Sequence, residues 1–380
     1  MIIIYRNILL MIFLLLWGCD NSNSPFNDSE PYSLISIDIG EVRDLDYSQS
    51  LNRLFVGTES EGIYIYDIIP DPITGNEIPL SNGNLSIIYD NIDWGLGKDI
   101  RNIEYSENTS ILYALDRFGY TYHGYVPYLL GESGLYDCSG LDTLIANVCA
   151  STQTHATKFS LDDSNESPEL YILYKHNAEN ELYTEESYSS LKFMNYALPP
   201  QMTLDFCELF GTCEDEAIDI EDSLSYSVND IFYSNDKLYI ANPSKNINSF
   251  EVYEKNGELI DTYITESEVK SIYVVDDYIL AGTKNGCYIT LLEGGGISSN
   301  DEDKLFIADG YSIQNIYFDG MKLILSAGIE GVIVYNWDGN SINIDNDVRI
   351  HSSYAYTARF IDGMYFVATK NGLEIYNLEE

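Results

Sequence analysis

The sequence predicts an all-β chain built from repeated four-stranded antiparallel units, and three observations carry that expectation. The segment YILAGTKNG at 278–286 recurs as LILSAGIEG at 323–331 and YFVATKNG at 365–372, placing Leu280, Leu325 and Val367 45 and 42 residues apart, a period typical of radially repeated sheets. Each copy is flanked by further strand-like runs: VKSIY at 269–273, IQNIY at 313–317 and TARF at 357–360 precede, while VIVY at 332–335 and LEIY at 373–376 follow. The inner runs are almost continuously apolar, as strands covered on both faces must be, whereas a sheet with one wet face alternates.

The elements follow in chain order. Residues 1–18 are expected to be a signal peptide: Arg6 is the only charge ahead of an apolar core of ten residues, Ile8 to Trp17, and a bilayer span needs about 20. The run Leu16-Trp17-Gly18-Cys19 resembles the lipobox of bacterial lipoproteins. That resemblance implies cleavage before Cys19, lipid on its thiol, and a membrane-anchored, extracytoplasmic chain at a bacterial cell envelope, at the outer membrane or cell surface. Two or more acyl chains suffice for stable anchoring, so no polybasic patch is needed beside them. Residues 19–32, with the polar run NSNSP at 21–25, read as a flexible tether unable to support a core.

Residues 33–380 read as the repeated domain. Second strands of successive units are expected to begin near Leu54, Leu112, Leu170, Leu238, Tyr278, Leu323 and Tyr365, with insertions near 127–154 and 199–225. The chain stops at Glu380 directly after a third strand, and the unmatched run LISIDI at 34–39 can supply the missing fourth. The expected fold is therefore a seven-bladed β-propeller of four-stranded antiparallel blades, closed by the N-terminal strand, which leaves only short edges. Asn285-Gly286, Asn371-Gly372 and Asp319-Gly320 are expected at tight turns, where they tolerate positive φ. Polar fourth strands are expected at 304–307 and 341–344, and the small residues Ala281, Gly282, Ala327 and Ala368 near the axis. The strand ends G-[IVL]-x-[IV]-Y-[DN] at 62–67, 331–336 and 372–377 resemble the LVIVD-type repeats of extracytoplasmic β-propellers, which implies a scaffold for recognition.

Removing residues 1–18 takes away Arg6 and no acid, leaving 18 basic against 61 acidic side chains, or −43. Such a surface cannot build phosphate contacts, so nucleic acid is excluded as a partner; the charge reads as a solvating surface. Beyond Cys19, the sequence neighbours Cys138 and Cys149, and Cys207 and Cys213, are expected as two local disulfides, with Cys287 a buried thiol; sequence leaves the connectivity open. There is no C-x-x-C pair, and His123, His155, His176 and His351 are scattered, which disfavours zinc. The second insertion holds Glu214-Asp215-Glu216, Asp219, Glu221 and Asp222, hard oxygen ligands of the kind calcium takes but in no EF-hand spacing. Calcium is the one cofactor considered, its ligands unassigned, and a solvated acidic face is the simpler reading.

Hydrolase, P-loop, zincin and dinucleotide motifs are missing, so no catalytic or cofactor-binding residue is assigned. Tyr66, Tyr253, Tyr335 and Tyr376 sit at equivalent strand ends and read as cross-strand packing, while Tyr136 in the first insertion is freer to meet a ligand; His123, His155 and His176 are candidates for a top-face site, against the simpler reading of histidines hydrogen-bonded among strands. The expected function is a binding or protein-interaction module at the envelope, reaching an envelope protein or glycan through its insertions. The alternative is a propeller hydrolase or lyase with acids converging on the axial channel. Two carboxylates, or a carboxylate and a histidine, with displaced pKa values in one pocket would mark it.

Overall fold

The computed structural model describes residues 27–28, 33–68, 99–119, 121–125, 148–150, 156–163, 168–176, 188–195, 216–218, 224–225, 227–244, 246–341 and 344–377. These residues form an all-β propeller, with one short 3-10 turn, Asp301–Asp303, as the helical element among them. The first sheet holds three strands, Val42–Ser48, Arg53–Thr58 and Ile63–Asp67. The others hold four or five once two N-terminal pieces are counted, and apart from those pieces the strands run antiparallel in chain order from the axis outward. The second comprises Ile100–Ser106, Ile111–Asp116, Thr121–Tyr125 and Val148–Ala150, and the third Ala156–Asp162, Glu169–His176, Tyr188–Asn195 and Glu216–Ile218, with Leu224–Ser225 also on Tyr188–Asn195. The fourth comprises Asp230–Ser234, Lys237–Ala241, Ser249–Glu254 and Leu259–Ile264. The fifth is Val269–Val275, Tyr278–Thr283, Gly286–Glu293 and Lys304–Ile307, with Gly296–Ile297 folding back on the third of these. The sixth is Asn315–Phe318, Lys322–Ser326, Val332–Asn336 and Asp345–Ile350, and the seventh Ala355–Ile361, Met364–Thr369 and Gly372–Asn377.

Two N-terminal pieces add to outer edges. Asn27–Asp28, inside the segment read as a tether, pairs in parallel with Val348 and Arg349. Ser33–Ile37 pairs antiparallel with Gly372–Asn377, from Ser33 opposite Asn377 to Ile37 opposite Leu373.

The core lies between sheets, which is why second strands are apolar throughout. Leu54, Leu112, Leu170, Leu238, Leu280, Leu323 and Phe366 are all 1 % exposed or less, each worth about 1.5–3 kcal/mol on burial. A separate apolar cluster fills each gap between consecutive sheets. A further one joins the seventh sheet to the first through Phe366, Leu373 and Ile375 against Val42, Leu45 and Val56. Tyr66, Tyr253, Tyr335 and Tyr376 oppose Leu54, Leu238, Leu323 and Tyr365 across the strands and are buried, the packing role expected of them.

Three local expectations are corrected. The fourth strand of the sixth sheet is Asp345–Ile350 rather than 341–344: Trp337 Nε1 donates to the Ser341 carbonyl at 2.6 Å and Asp338 Oδ1 accepts from the Asn340 N–H at 2.9 Å, holding 337–341 in a longer connection. At the Asn-Gly hairpins the turn residues are Lys284-Asn285 and Lys370-Asn371, with Gly286 and Gly372 following at φ +143° and +122°. A threonine clamps each turn. Thr283 and Thr369 hydroxyls accept from the Asn285 and Asn371 N–H groups at 3.1 Å and donate to the Gly286 and Gly372 carbonyls at 3.0 and 2.9 Å. Lastly, Ala281, Gly282 and Ala368 lie in second strands and Ala327 just beyond one, not at the axis. The crowding comes from the neighbouring strand and the next unit: a Cβ on Gly282 would come within 2.4 Å of Ser271 Oγ, directly opposite it, and 2.7 Å of Ile313 Cγ2.

Candidate functional site

The innermost strands share one register. Val42–Ser48 reads VRDLDYS and Ile100–Ser106 reads IRNIEYS, and both carry a bulge just inside their start, between Val42 and Asp44 and between Ile100 and Asn102. A bulge re-aims the side chains after it. Here it turns two alternate positions toward the axis and the neighbouring sheet. The first of these positions holds Asp44, Asn102, Lys158, Asp230, Ser271, Asn315 and Thr357; the second holds Asp46, Glu104, Ser160, Phe232, Tyr273, Tyr317 and Arg359.

On one side of the ring these side chains reach across to the next inner strand. Asp44 Oδ2 accepts from Asn102 Nδ2 and from the Ile103 N–H, both at 2.9 Å, and Asp46 Oδ2 accepts from the Tyr105 N–H at 2.6 Å. One sheet further, Asn102 Oδ1 accepts from the Phe159 N–H at 3.2 Å and Glu104 Oε2 from the Leu161 N–H at 2.9 Å. Ser160 Oγ accepts from the Tyr233 N–H at 3.0 Å, Lys158 Nζ lies 3.4 Å from Asp230 Oδ1, and Asp230 Oδ2 accepts from the Ile272 N–H at 3.0 Å. The other side is aromatic and cationic. The Phe232 and Tyr273 rings are 4.8 Å apart, and the Arg359 guanidinium lies 4.3 Å from the Tyr317 ring centre.

Electrostatically these groups form one cluster. Burial pushes the Asp46 carboxyl up to about 6, against the pull of Arg359 and the N–H groups of Tyr105 and Tyr47. Burial also raises Glu104 well above the usual carboxylate range, with the charges of Asp46 and Asp44 adding to it. Asp230 is raised by burial even with Lys158 beside it, while Lys158 resists its own desolvation because Asp230, Asp44 and Glu104 surround it. Across the ring, burial and then Tyr317 push Tyr273 up to about 12, with Asp46 and Glu104 contributing. Opposite walls therefore face one axial space. Burial thus displaces both the Asp46 and the Glu104 carboxyls upward, the direction in which a carboxyl becomes suited to general acid–base work. Among the described residues no group of three acids, histidines or cysteines is placed to hold a metal.

A second feature is the upper face, where inner strands start and second strands turn into third. Arg43 pairs with Glu41 at 3.1 Å and Glu59 at 2.9 Å, Arg101 pairs with Asp99 at 2.7 Å, and Arg117 lies 3.9 Å from Asp99. Arg43 also lies 4.6 Å from the Tyr356 ring centre, Tyr356 is 4.7 Å from Tyr354, and Lys370 is 4.5 Å from Tyr354. A strip of cations and aromatic rings thus crosses the seventh, first and second sheets. On the same face Arg349 pairs with Glu330 at 2.5 Å, and Lys270 and Lys284 flank Glu268. Burial works against the Glu268 carboxylate, but those two lysines and Asn229 hold it at about 2. Phe118, Ile247 and Ile329 stand exposed at turn tips of this face, at 57, 48 and 75 %.

Of the residues singled out by sequence, Cys19, Cys138, Cys207, Cys213, Tyr136, His155, Glu214, Asp215, Asp219, Glu221 and Asp222 lie outside the described residues. Cys149 sits in Val148–Ala150 opposite His123, His176 ends Glu169–His176 opposite Tyr188, and Glu216 opens Glu216–Ile218 opposite Phe193. His123 and His176 belong to different sheets, and His351 lies exposed between the sixth and seventh. Cys287 is the buried free thiol expected, its pKa driven up by burial. The axial residues were missed. Their signal is a repeat, R-[DN]-[LI]-[DE]-Y-S at 43–48 and 101–106, 58 residues apart, which matches the distance between Leu54 and Leu112.

No protein-family model matches the chain, and no curated protein matches it by sequence. Among solved structures it is similar to the computationally designed Ika8 protein, at 13 % identity and a TM-score of 0.52 over 91 % of this chain and 98 % of that one. It is also similar to a chain of the mitotic checkpoint complex, at 10 % identity and a TM-score of 0.59 over 94 % of each chain. At these identities the likeness extends to the propeller fold alone.

Proposed function

We propose that this chain is a lipid-anchored binding module of a bacterial cell envelope: a seven-bladed ring of LVIVD-type repeats, held at Cys19 and recognising an envelope protein or glycan through its upper face. The observation that carries the binding role is the contrast between that face and the rest of the molecule. In a chain of net charge −42, the upper face gathers Arg43, Arg101, Arg117, Lys270, Lys284, Arg349 and Lys370 with Tyr354, Tyr356 and three exposed apolar tips. Arginine, aromatic rings and apolar anchors are what interaction surfaces concentrate. Capture of a partner from envelope extracts is expected to be lost on Phe118→Ser or Ile329→Ser and retained on Met321→Ser, which alters an exposed tip of the opposite face. Equal capture by all three variants would remove the assignment of the face.

Closure by Ser33–Ile37 draws support from a repeated close approach. A Cβ on Gly331 would lie 2.1 Å from the Ile350 carbonyl oxygen within the sixth sheet, and one on Gly372 would lie 2.1 Å from that of Ile37. Ile37 thus stands to the seventh sheet as Ile350 stands to the sixth. Gly372→Ala is expected to release the amides of 33–37 to hydrogen exchange, and Gly331→Ala those near 350. The anchor is tested by lipid labelling, with a mass shift expected on the wild type and lost on Cys19→Ala. Calcium in the second insertion is tested by titration with thermal melting, where an unchanged melt assigns the acidic run to solvation.

A second reading, a hydrolase or lyase acting at the axis, is favoured by one observation: Asp46 and Glu104 share the axial space with both pKa values displaced upward. Carboxyl-carbon NMR decides whether that chemistry is available. Titration of both groups below pH 5 would remove it.

A further inference from the structure

We infer that the propeller meets the membrane at a single point of its rim, the outer edge of the sixth sheet, and leaves both faces open sideways. The inference rests on the anchored reading above and deepens it. Asn27–Asp28 is paired to Val348 and Arg349 on the outermost strand of the sixth sheet, and Ser33–Ile37 then lines the outer edge of the seventh. Both described N-terminal stretches are therefore held at the rim, away from the axis and from the centre of either face.

Seven residues, Asp20 to Phe26, separate Cys19 from Asn27, and eight steps of at most about 3.6 Å span roughly 29 Å. Four strands about 4.8 Å apart on each side of an axial channel make a ring on the order of 45 Å across. The reach of the anchor is shorter than the ring is wide, so the lipid-side position of the sixth sheet is imposed by chain length. Charge decides between standing and lying flat. A surface near −43 is repelled by an anionic leaflet over a Debye length of about 8 Å, which drives the rest of the ring away from its attachment.

The test uses full-length, lipid-modified protein in vesicles of phosphatidylethanolamine and phosphatidylglycerol carrying an acceptor dye on the lipid. A fluorescent amino acid is placed either at Asn340, in the exposed turn before the outermost strand of the sixth sheet, or at Asn108, in an exposed turn of the second. Energy transfer from position 340 is expected to exceed that from 108 at least twofold. Inserting about twenty Gly/Ser residues between Ser24 and Pro25 is expected to bring the two together. Equal transfer without the insertion, or stronger transfer from 108, overturns the inference while leaving the anchor intact. Protein carrying no lipid on Cys19 overturns the anchored reading itself.

Discussion

Between the first and third sheets, axial side chains cross the gap and bond the backbone of the next strand, as Asp44 does to Ile103, Asp46 to Tyr105, Asn102 to Phe159 and Glu104 to Leu161. Lower down, Glu107 accepts from the Gln49 N–H at 2.8 Å, and Asp163 accepts from Ser106 Oγ at 2.6 Å and the Asn108 N–H at 3.2 Å. Between the fifth and seventh sheets the corresponding axial positions hold Ser271 and Tyr273, Asn315 and Tyr317, Thr357 and Arg359, where Thr357 Oγ1 donates to Asn315 Oδ1 at 2.9 Å and no axial carboxylate takes part. There the gaps are filled instead by apolar side chains, with Trp337 packed on Tyr278 and Phe318 at 5.6 and 5.1 Å between centroids. One backbone register thus supports two kinds of glue. The polar half orients its strands through carboxylates whose burial is unfavourable, and the apolar half relies on area.

The contrast breaks along several lines. Leu280→Ala in the apolar half removes a fully buried side chain and is expected to cost about 2–5 kcal/mol, equally at pH 5 and pH 8 in denaturant titrations. Asp44→Ala leaves Asn102 Nδ2 and the Ile103 N–H without their acceptor. At about 1–3 kcal/mol for each orphaned donor the loss approaches that of the leucine, and Asp44→Asn, which keeps one acceptor oxygen, should recover part of it. Thr369→Val removes one acceptor and one donor from a buried hairpin clamp and is expected to cost about 1–2 kcal/mol, read as a lower melting temperature with faster amide exchange at Asn371. Asp46→Asn is the mildest near neutral pH, because an amide oxygen can still accept from Tyr105 while the disfavoured charge is gone.

The repeated unit was legible in the C-terminal half because its second and third strands carry nearly unbroken apolar runs and a T-K-N-G turn that survives between copies. All the second strands anticipated, from Leu54 to Tyr365, lie where the repeats put them, since burial on both faces leaves little freedom in residue type. The axial residues were harder to see. Asp44, Glu104, Lys158, Tyr317 and Arg359 occupy equivalent places with unrelated chemistry, so similarity between units fails where side chains face the axis. The R-[DN]-[LI]-[DE]-Y-S pair was available only by aligning the first two units with each other. The strand at 345–350 was placed too early because nothing in 337–341 advertises the indole-to-carbonyl bond that lengthens the connection.

The polar half also has a pH signature of definite sign. A carboxyl raised to about 6 in the folded chain and near 4 when unfolded binds its proton more tightly in the native state. Its stabilising contribution is then complete below the unfolded value and is lost as pH rises through the folded one. Glu104, raised in the same direction, adds to it. The decisive measurement is thermal melting between pH 4.5 and 8 of the wild type beside the Asp46→Asn, Glu104→Gln double variant. The wild type should lose stability as pH rises from about 4.5 through 6, and the double variant should be flatter over that window and the more stable of the two at pH 7.5. Parallel curves, or a double variant less stable at pH 7.5, would mean that the axial carboxylates are not strained by their burial and that the two halves of the ring are held by the same physics.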